Sequence, residues 1–179
     1  MLASPVAADT DDSPKARAWE ALRKGRAVLL LRHATAPGIG DPPSFVLNDC
    51  STQRNLSDRG RAEARRWGSF LKDKGITQPL VLSSRWCRSL DTAWEMGVAS
   101  VEPLELLDSF FSETDRQGIQ TARLRLYLNK LPSSQPVILV SHQVNITALT
   151  GVFPRSSEGL ILALPITDPV TVLAAISPP

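Results

Sequence analysis

Hydrophobic runs alternate along this chain with polar, sharply punctuated stretches, and the alternation predicts its elements. "AVLLL", residues 27–31, is five apolar residues without a break, the pattern of a strand buried on both faces in a parallel sheet. "PLVLSS" at 79–84 and "PVILVS" at 136–141 repeat it, "VEPLELL" predicts a third strand of the series, and "GLILAL" and "PVTVLAAI" close the chain as strands, one of them antiparallel. The intervening stretches have helical periods and helical punctuation. A Ser cap, Pro at the first helical position and a closing Gly in "SPKARAWEALRKG" predict a helix at 14–24. "LSDRGRAEARRWGSFLKDKG" predicts a Ser-capped helix ending at Gly75, with Ala62, Trp67, Phe70 and Leu71 facing inward. "CRSLDTAWEMG", "RQGIQTARLRLYLNKL" and "NITALTG" predict three more. Strand and helix alternate almost throughout, which predicts a three-layer α/β sandwich with a mostly parallel central sheet and helices on both faces.

Composition narrows this picture. With 179 residues, 42% apolar and 21% charged, the chain from residue 14 to 179 is expected to be a single domain able to bury about two-thirds of its unfolded surface. Twenty basic and 18 acidic residues leave a formal charge of +2, so there is no general electrostatic case for nucleic acid, and any anion site must be local. No apolar run approaches the ~20 residues of an integral membrane segment.

Ligands of such sheets bind beyond the carboxyl ends of the strands, and both histidines of this chain fall there. His33 follows "AVLLLR" and His142 follows "VILVS". A single histidine at such a place is most simply a hydrogen-bonded core residue; two out of two weigh against that. Arg85 and Arg88 follow "LVLSS", and Arg32 precedes His33, so three guanidinium groups can reach one end of the sheet. Arginine forks match phosphate oxygens bidentately and stay charged. A basic residue at a helix start opposes the helix dipole, a conflict that an anion bound by the free amides there would resolve. For Arg85, a solvated helix-start charge is an equally good account.

Taken together, "LLLRHATAPG", "LSDRGRAEA", "SSRWCRSLDTA" and "VSHQVNITALTG" resemble the histidine phosphatase superfamily, the clan of phosphoglycerate mutases and related acid phosphatases. The resemblance runs from about residue 28 to 151. It implies a phosphoglycerate mutase-like fold and metal-independent, cofactor-free hydrolysis of a phosphate monoester through a phosphohistidine on His33. Arg32 and Arg88 would clamp the phosphoryl oxygens, and His142 would stabilise charge that grows in the transition state. Arg88 and the closing pair Thr92 and Ala93 match the family's arginine motif, whereas Arg85 has no counterpart there. Ala34 stands where the family has glycine, which is tolerable if φ is negative. The family's acid is often a Glu after the third strand; here "LLDSFFSETDR" offers Asp108, Glu113 and Asp115, with Asp108 nearest the expected place. A mutase-type phosphotransferase and a non-catalytic phosphate-binding module are the alternatives. The substrate would be a small phosphorylated molecule or a phosphorylated protein side chain.

The aperiodic segment "PGIGDPPSFVLNDCSTQRNLS" directly follows the nucleophile and is expected to cover the site, with Arg54, Gln53 and Asn55 as candidate contacts. Gln143, beside His142, is another. The loop headed by "FF" offers a further wall. Cys50 lies in the covering segment and Cys87 one residue before Arg88. Either they form a bridge that pins the cover, which suits an oxidising compartment, or they are two reduced thiols of a cytoplasmic enzyme. Residues 1–13 are expected to be a disordered lead or the remnant of a signal peptide, "SPVAAD" resembling a cleavage site, which favours a periplasmic or secreted protein.

Overall fold

The computed structural model describes residues 13–132 and 134–179; apart from Ser13, the lead lies outside them. A six-stranded sheet is built from β1 (Ala27–Arg32), β2 (Leu80–Ser83), β3 (Val101–Pro103), β4 (Val137–Ser141), β5 (Gly159–Ala163) and β6 (Val172–Ile176), in the order β3-β2-β4-β1-β5-β6. β4 lies parallel between β1 and β2, and β3 is parallel to β2. β5 runs antiparallel to both its neighbours, so it alone is reversed. β3 is shorter than predicted: Pro103 has no N–H to continue the ladder, and Glu105–Leu107 forms a 3₁₀ turn instead.

Among the described residues five α-helices cover the sheet: α1 (Pro14–Arg23), α2 (Asp58–Asp73), α3 (Cys87–Met96), α4 (Gln117–Leu128) and α5 (Gln143–Thr150). The predicted caps are present, with Ser13 Oγ accepting from Ala16 N and Ser57 Oγ from Gly60 N, each at 3.1 Å. The period of two along β1 divides the core. Leu29 and Leu31 pack with Trp19 of α1, Trp67 and Leu71 of α2 and Ala93 of α3, whereas Val28 and Leu30 pack with Leu124 of α4 and Ile146 of α5. The result is the three-layer sandwich expected from the sequence.

The inward face of α2 differs from expectation. Glu63 and Ala64 are buried with Trp67 and Leu71, while Ala62 and Phe70 are only partly so. Two close approaches rotate the helix. A Cβ on Gly60 would fall 2.2 Å from Thr35 O, and one on Gly68 would fall 1.9 Å from Met96 O, so these faces must lie against backbone. The first contact seats α2 against the chain just after His33. Among the described residues, no helix is long and apolar enough to cross a membrane.

Candidate active site

Three neighbouring strands deliver their exits to one place. β1 ends in Arg32 and leads to His33, β4 leads to His142, and the turn after β2 leads through Ser84 to Arg88 in the first turn of α3. Their side chains, with Arg54 from the covering segment, line a cavity of about 290 Å³. The two imidazoles are buried, with ring centroids 5.4 Å apart.

His33 is held by its backbone and ring together. Its N–H donates to Ser141 O at 2.9 Å, fixing β1 against β4 at the point where the ring emerges. Nδ1 lies 2.8 Å from Ala34 O and must donate there, because a carbonyl can only accept. Nε2 is therefore the unprotonated nitrogen, and Arg88 Nε donates to it at 3.3 Å. Ala34 does not adopt a positive φ, so it serves where glycine is usual, and its N–H is anchored by Thr92 Oγ1 at 3.0 Å.

The surrounding charge is one-sided. Arg88 is almost wholly buried, and its Nη1 meets Asp41 Oδ1 at 2.7 Å. Arg54 donates to Ala36 O and Gly40 O, and Arg32 Nη1 to Pro154 O at 2.9 Å. Arg32 Nε and His142 Nδ1 are buried without a partner among the described residues. Burial, then the charge of Arg88, lowers the proton affinity of Arg32, and the same two effects bring Arg54 down to about 10. Asp41 is held below the usual carboxylate range: burial pushes its affinity up, but Arg88 outweighs it. Trp86 Nε1 and Arg54 N complete its partners.

Both imidazoles are pushed well below their ordinary value, by burial first and by Arg88 second. Below pH 6.5 the unfolded chain therefore takes up protons that the folded chain refuses. The stability conferred by the neutral rings is complete above that pH and is lost as the pH falls toward the folded-state values. Each ring can cost up to about 1.4 kcal/mol per pH unit in that window. The urea midpoint should drop between pH 7 and pH 5, and the drop should shrink in a chain carrying both His33→Gln and His142→Gln. An unchanged slope would show that the rings titrate freely.

The predicted site residues sort into two sets. Arg32, His33, Arg54, Arg88, His142 and Gln143 line the cavity. Asp108 does not. It is 1% exposed, and its carboxylate is taken up by Arg85, whose backbone N–H donates at 2.8 Å and whose guanidinium donates at 2.7 and 2.6 Å. The pair explains Arg85 as well: its charge at the start of α3 is answered by this carboxylate and not by a bound anion. Burial nonetheless raises the proton affinity of Asp108. Of the three acid candidates only Glu113 lines the cavity. Asn55 is also outside; its amide donates to Cys50 O and Gln53 O. Gln53 acts as a clamp, with Oε1 accepting from Cys87 N at 3.0 Å, so the first amide of α3 is spent on protein.

Cys50 and Cys87 are bonded, with Cα atoms 5.7 Å apart. The bridge joins the covering segment to the residue before Arg88. Closing a separation of 37 residues, it stabilises the fold by about 3–4 kcal/mol through restriction of the unfolded chain.

Asp41 carries no signal in the sequence beyond an acidic residue in a Gly- and Pro-rich loop. Glu63 hides in a helix as an ordinary charge, yet it accepts from Thr35 N, Thr35 Oγ1, Ser157 Oγ and Arg59 Nε. Ser157 has φ +61 and is held there by Glu63 and by Trp67 Nε1, which donates to its carbonyl at 2.8 Å. Its N–H donates to His33 O at 3.3 Å, so this network supports the histidine from behind.

No family model matches the chain, and no curated protein matches it. Solved structures do. The protein histidine phosphatase SixA complexed with tungstate is 22% identical, with a TM-score of 0.59 over 85% of this chain and 97% of that one. A phosphoserine phosphatase from Entamoeba histolytica in complex with 3-phosphoglyceric acid is 16% identical, with a TM-score of 0.59 over 84% and 96%. The mycobacterial glucosyl-3-phosphoglycerate phosphatase is 19% identical, with a TM-score of 0.54 over 76% and 89%. At these identities the likeness is one of architecture, and the chain has the phosphoglycerate mutase-like fold of the histidine phosphatases.

Proposed function

We propose that the protein is a phosphomonoesterase that works through a phosphohistidine on His33. The observation that carries this reading is a neutral, buried imidazole whose Nε2 meets Arg88, in a cavity that Arg32 and Arg54 also line and where Asp41 pairs with Arg88. A phosphate dianion relieves the mutual repulsion of Arg32, Arg54 and Arg88 and gives partners to Arg32 Nε and His142 Nδ1. The fold neighbours support it, since one is named as holding tungstate and another 3-phosphoglyceric acid.

In the first step Nε2 attacks phosphorus in line, an N–P bond forms, and the ester P–O bond breaks. Arg88 changes partner from Nε2 to a phosphoryl oxygen. Ser84 Oγ donates to Asp108 Oδ1 at 3.2 Å and lies 2.8 Å from His142 Nε2, so it holds that ring in place beside the phosphoryl group. Glu113, the exposed lining carboxylate, is paired with Arg116, so the leaving oxygen takes its proton from solvent. Water then attacks phosphorus, the N–P bond breaks, and inorganic phosphate leaves with His33 restored. Steady hydrolysis of 4-nitrophenyl phosphate, undiminished by a chelator, tests the reading. A protein that binds phosphate without turnover, or turns over only with an added metal, would overturn it.

The disulfide supports a periplasmic or secreted location, because such bonds persist in oxidising compartments. Protein isolated from its native host without reductant and then denatured should show no reactive thiol. Two thiols per chain would eliminate the bridge and with it this support for export.

A further inference from the structure

Resting on that reading, we propose that the leaving group is an aromatic ring, so that the substrate is an aryl phosphate monoester. The cavity has a charged floor and aromatic walls. Phe45 and Trp86 stand on one side with centroids 5.6 Å apart, and Trp86 meets His142 edge-on at 5.7 Å, so this wall adjoins the phosphoryl floor. Phe111 lines the cavity as well; its Cε1 lies 3.5 Å from where a Cβ on Gly40 would be, so the ring rests on the covering segment. Phe111, Phe153 and Ile39 are 52%, 70% and 90% exposed, and all three line the cavity. At about 290 Å³, the space is at the small end of ligand pockets and suits a phosphoryl group with one ring.

The polar chemistry of the walls points the same way. Beyond the three arginines of the floor, the lining residues include no cation. Glu113, at the mouth, is an anion already paired with Arg116 at 3.0 Å. A carboxylate or second phosphate on the leaving group would therefore find no counter-charge among them. An independent argument comes from proton supply. Asp108 is outside the cavity, Asp41 is held ionised by Arg88, and Glu113 is exposed, so none is a dedicated buried acid. A phenol, with a pKa of about 10, departs as an anion far more readily than an alcohol and depends least on such an acid.

Titration calorimetry with the full chain separates recognition from turnover. Phenylphosphonate should bind at least about tenfold more tightly than phosphonoacetate. Phe111→Ser, at a half-exposed position that leaves the core intact, should reduce that ratio by about three- to tenfold. Equal or tighter binding of phosphonoacetate, or an unchanged ratio in the variant, overturns the aryl assignment whatever the protein does to 4-nitrophenyl phosphate. Preferential binding of phenylphosphonate without hydrolysis of any ester upholds the ring site and defeats the phosphatase reading instead. Phenyl phosphate and a phosphotyrosyl peptide, compared by kcat/KM, then show whether the ring comes free or on a polypeptide.

Discussion

His33→Ala will lower turnover of 4-nitrophenyl phosphate by on the order of 10⁴-fold or more, because it removes the atom that bonds to phosphorus. The loss will be in kcat. Arg32, Arg54, Arg88 and His142 remain to bind phosphate, and removing a buried ring that meets Arg88 Nε at 3.3 Å frees that arginine for the anion. Inorganic phosphate should therefore inhibit, or bind, at least as well as in the unaltered protein. Rapid acid-free quenching with labelled substrate should trap a base-stable, acid-labile phosphoenzyme in the unaltered chain and none in the variant. A variant that kept more than roughly a few per cent of the rate would show that another group takes the phosphoryl.

Arg88→Ala will cost at least several hundred-fold in kcat/KM, about 3–4 kcal/mol of transition-state stabilisation. Arg88 is the most buried of the floor's arginines, reaches His33 Nε2 directly and holds Asp41. Its removal also leaves the Asp41 carboxylate, still bonded to Trp86 Nε1 and Arg54 N, as an uncompensated negative charge where a dianion must enter. Arg88→Ala combined with Asp41→Asn should therefore recover part of the loss. Arg85→Ala is the control. Its guanidinium is engaged with Asp108 outside the cavity, so it should alter stability more than kcat/KM. Comparable losses in kcat/KM from Arg85→Ala and Arg88→Ala would contradict the placement of the two arginines.

The strands and the residues at their exits were legible because their signals are local. An unbroken apolar run such as "AVLLL" admits few structures, and the polar residues that end it are fixed in place by the end itself. Arg32, His33, Arg88 and His142 could thus be brought together from the alternation alone, with the superfamily resemblance supplying roles. What could not be read depends on pairing across distance. Asp108 and Arg85 looked like a proton donor and a phosphate ligand, and each is accounted for by the other over 23 positions. Glu63 falls outside the inward set read for its helix (Ala62, Trp67, Phe70, Leu71), because Gly60 and Gly68, by approaching backbone, set which side of α2 faces inward. Asp41 and Phe45 sit in an aperiodic segment, where no period reports which side chains turn toward the floor.

The residues that would choose the leaving group are built on different ground from those that would hold phosphate. Ile39, Phe45, Phe111 and Phe153 belong to none of the apolar clusters that stabilise the sandwich, whereas the floor is welded to β1, β2 and β4. Selection can therefore act on substrate range and on thermal endurance as nearly independent traits. A lineage could trade one wall residue after another, drifting from one phosphorylated compound to the next, without passing through an unstable ancestor.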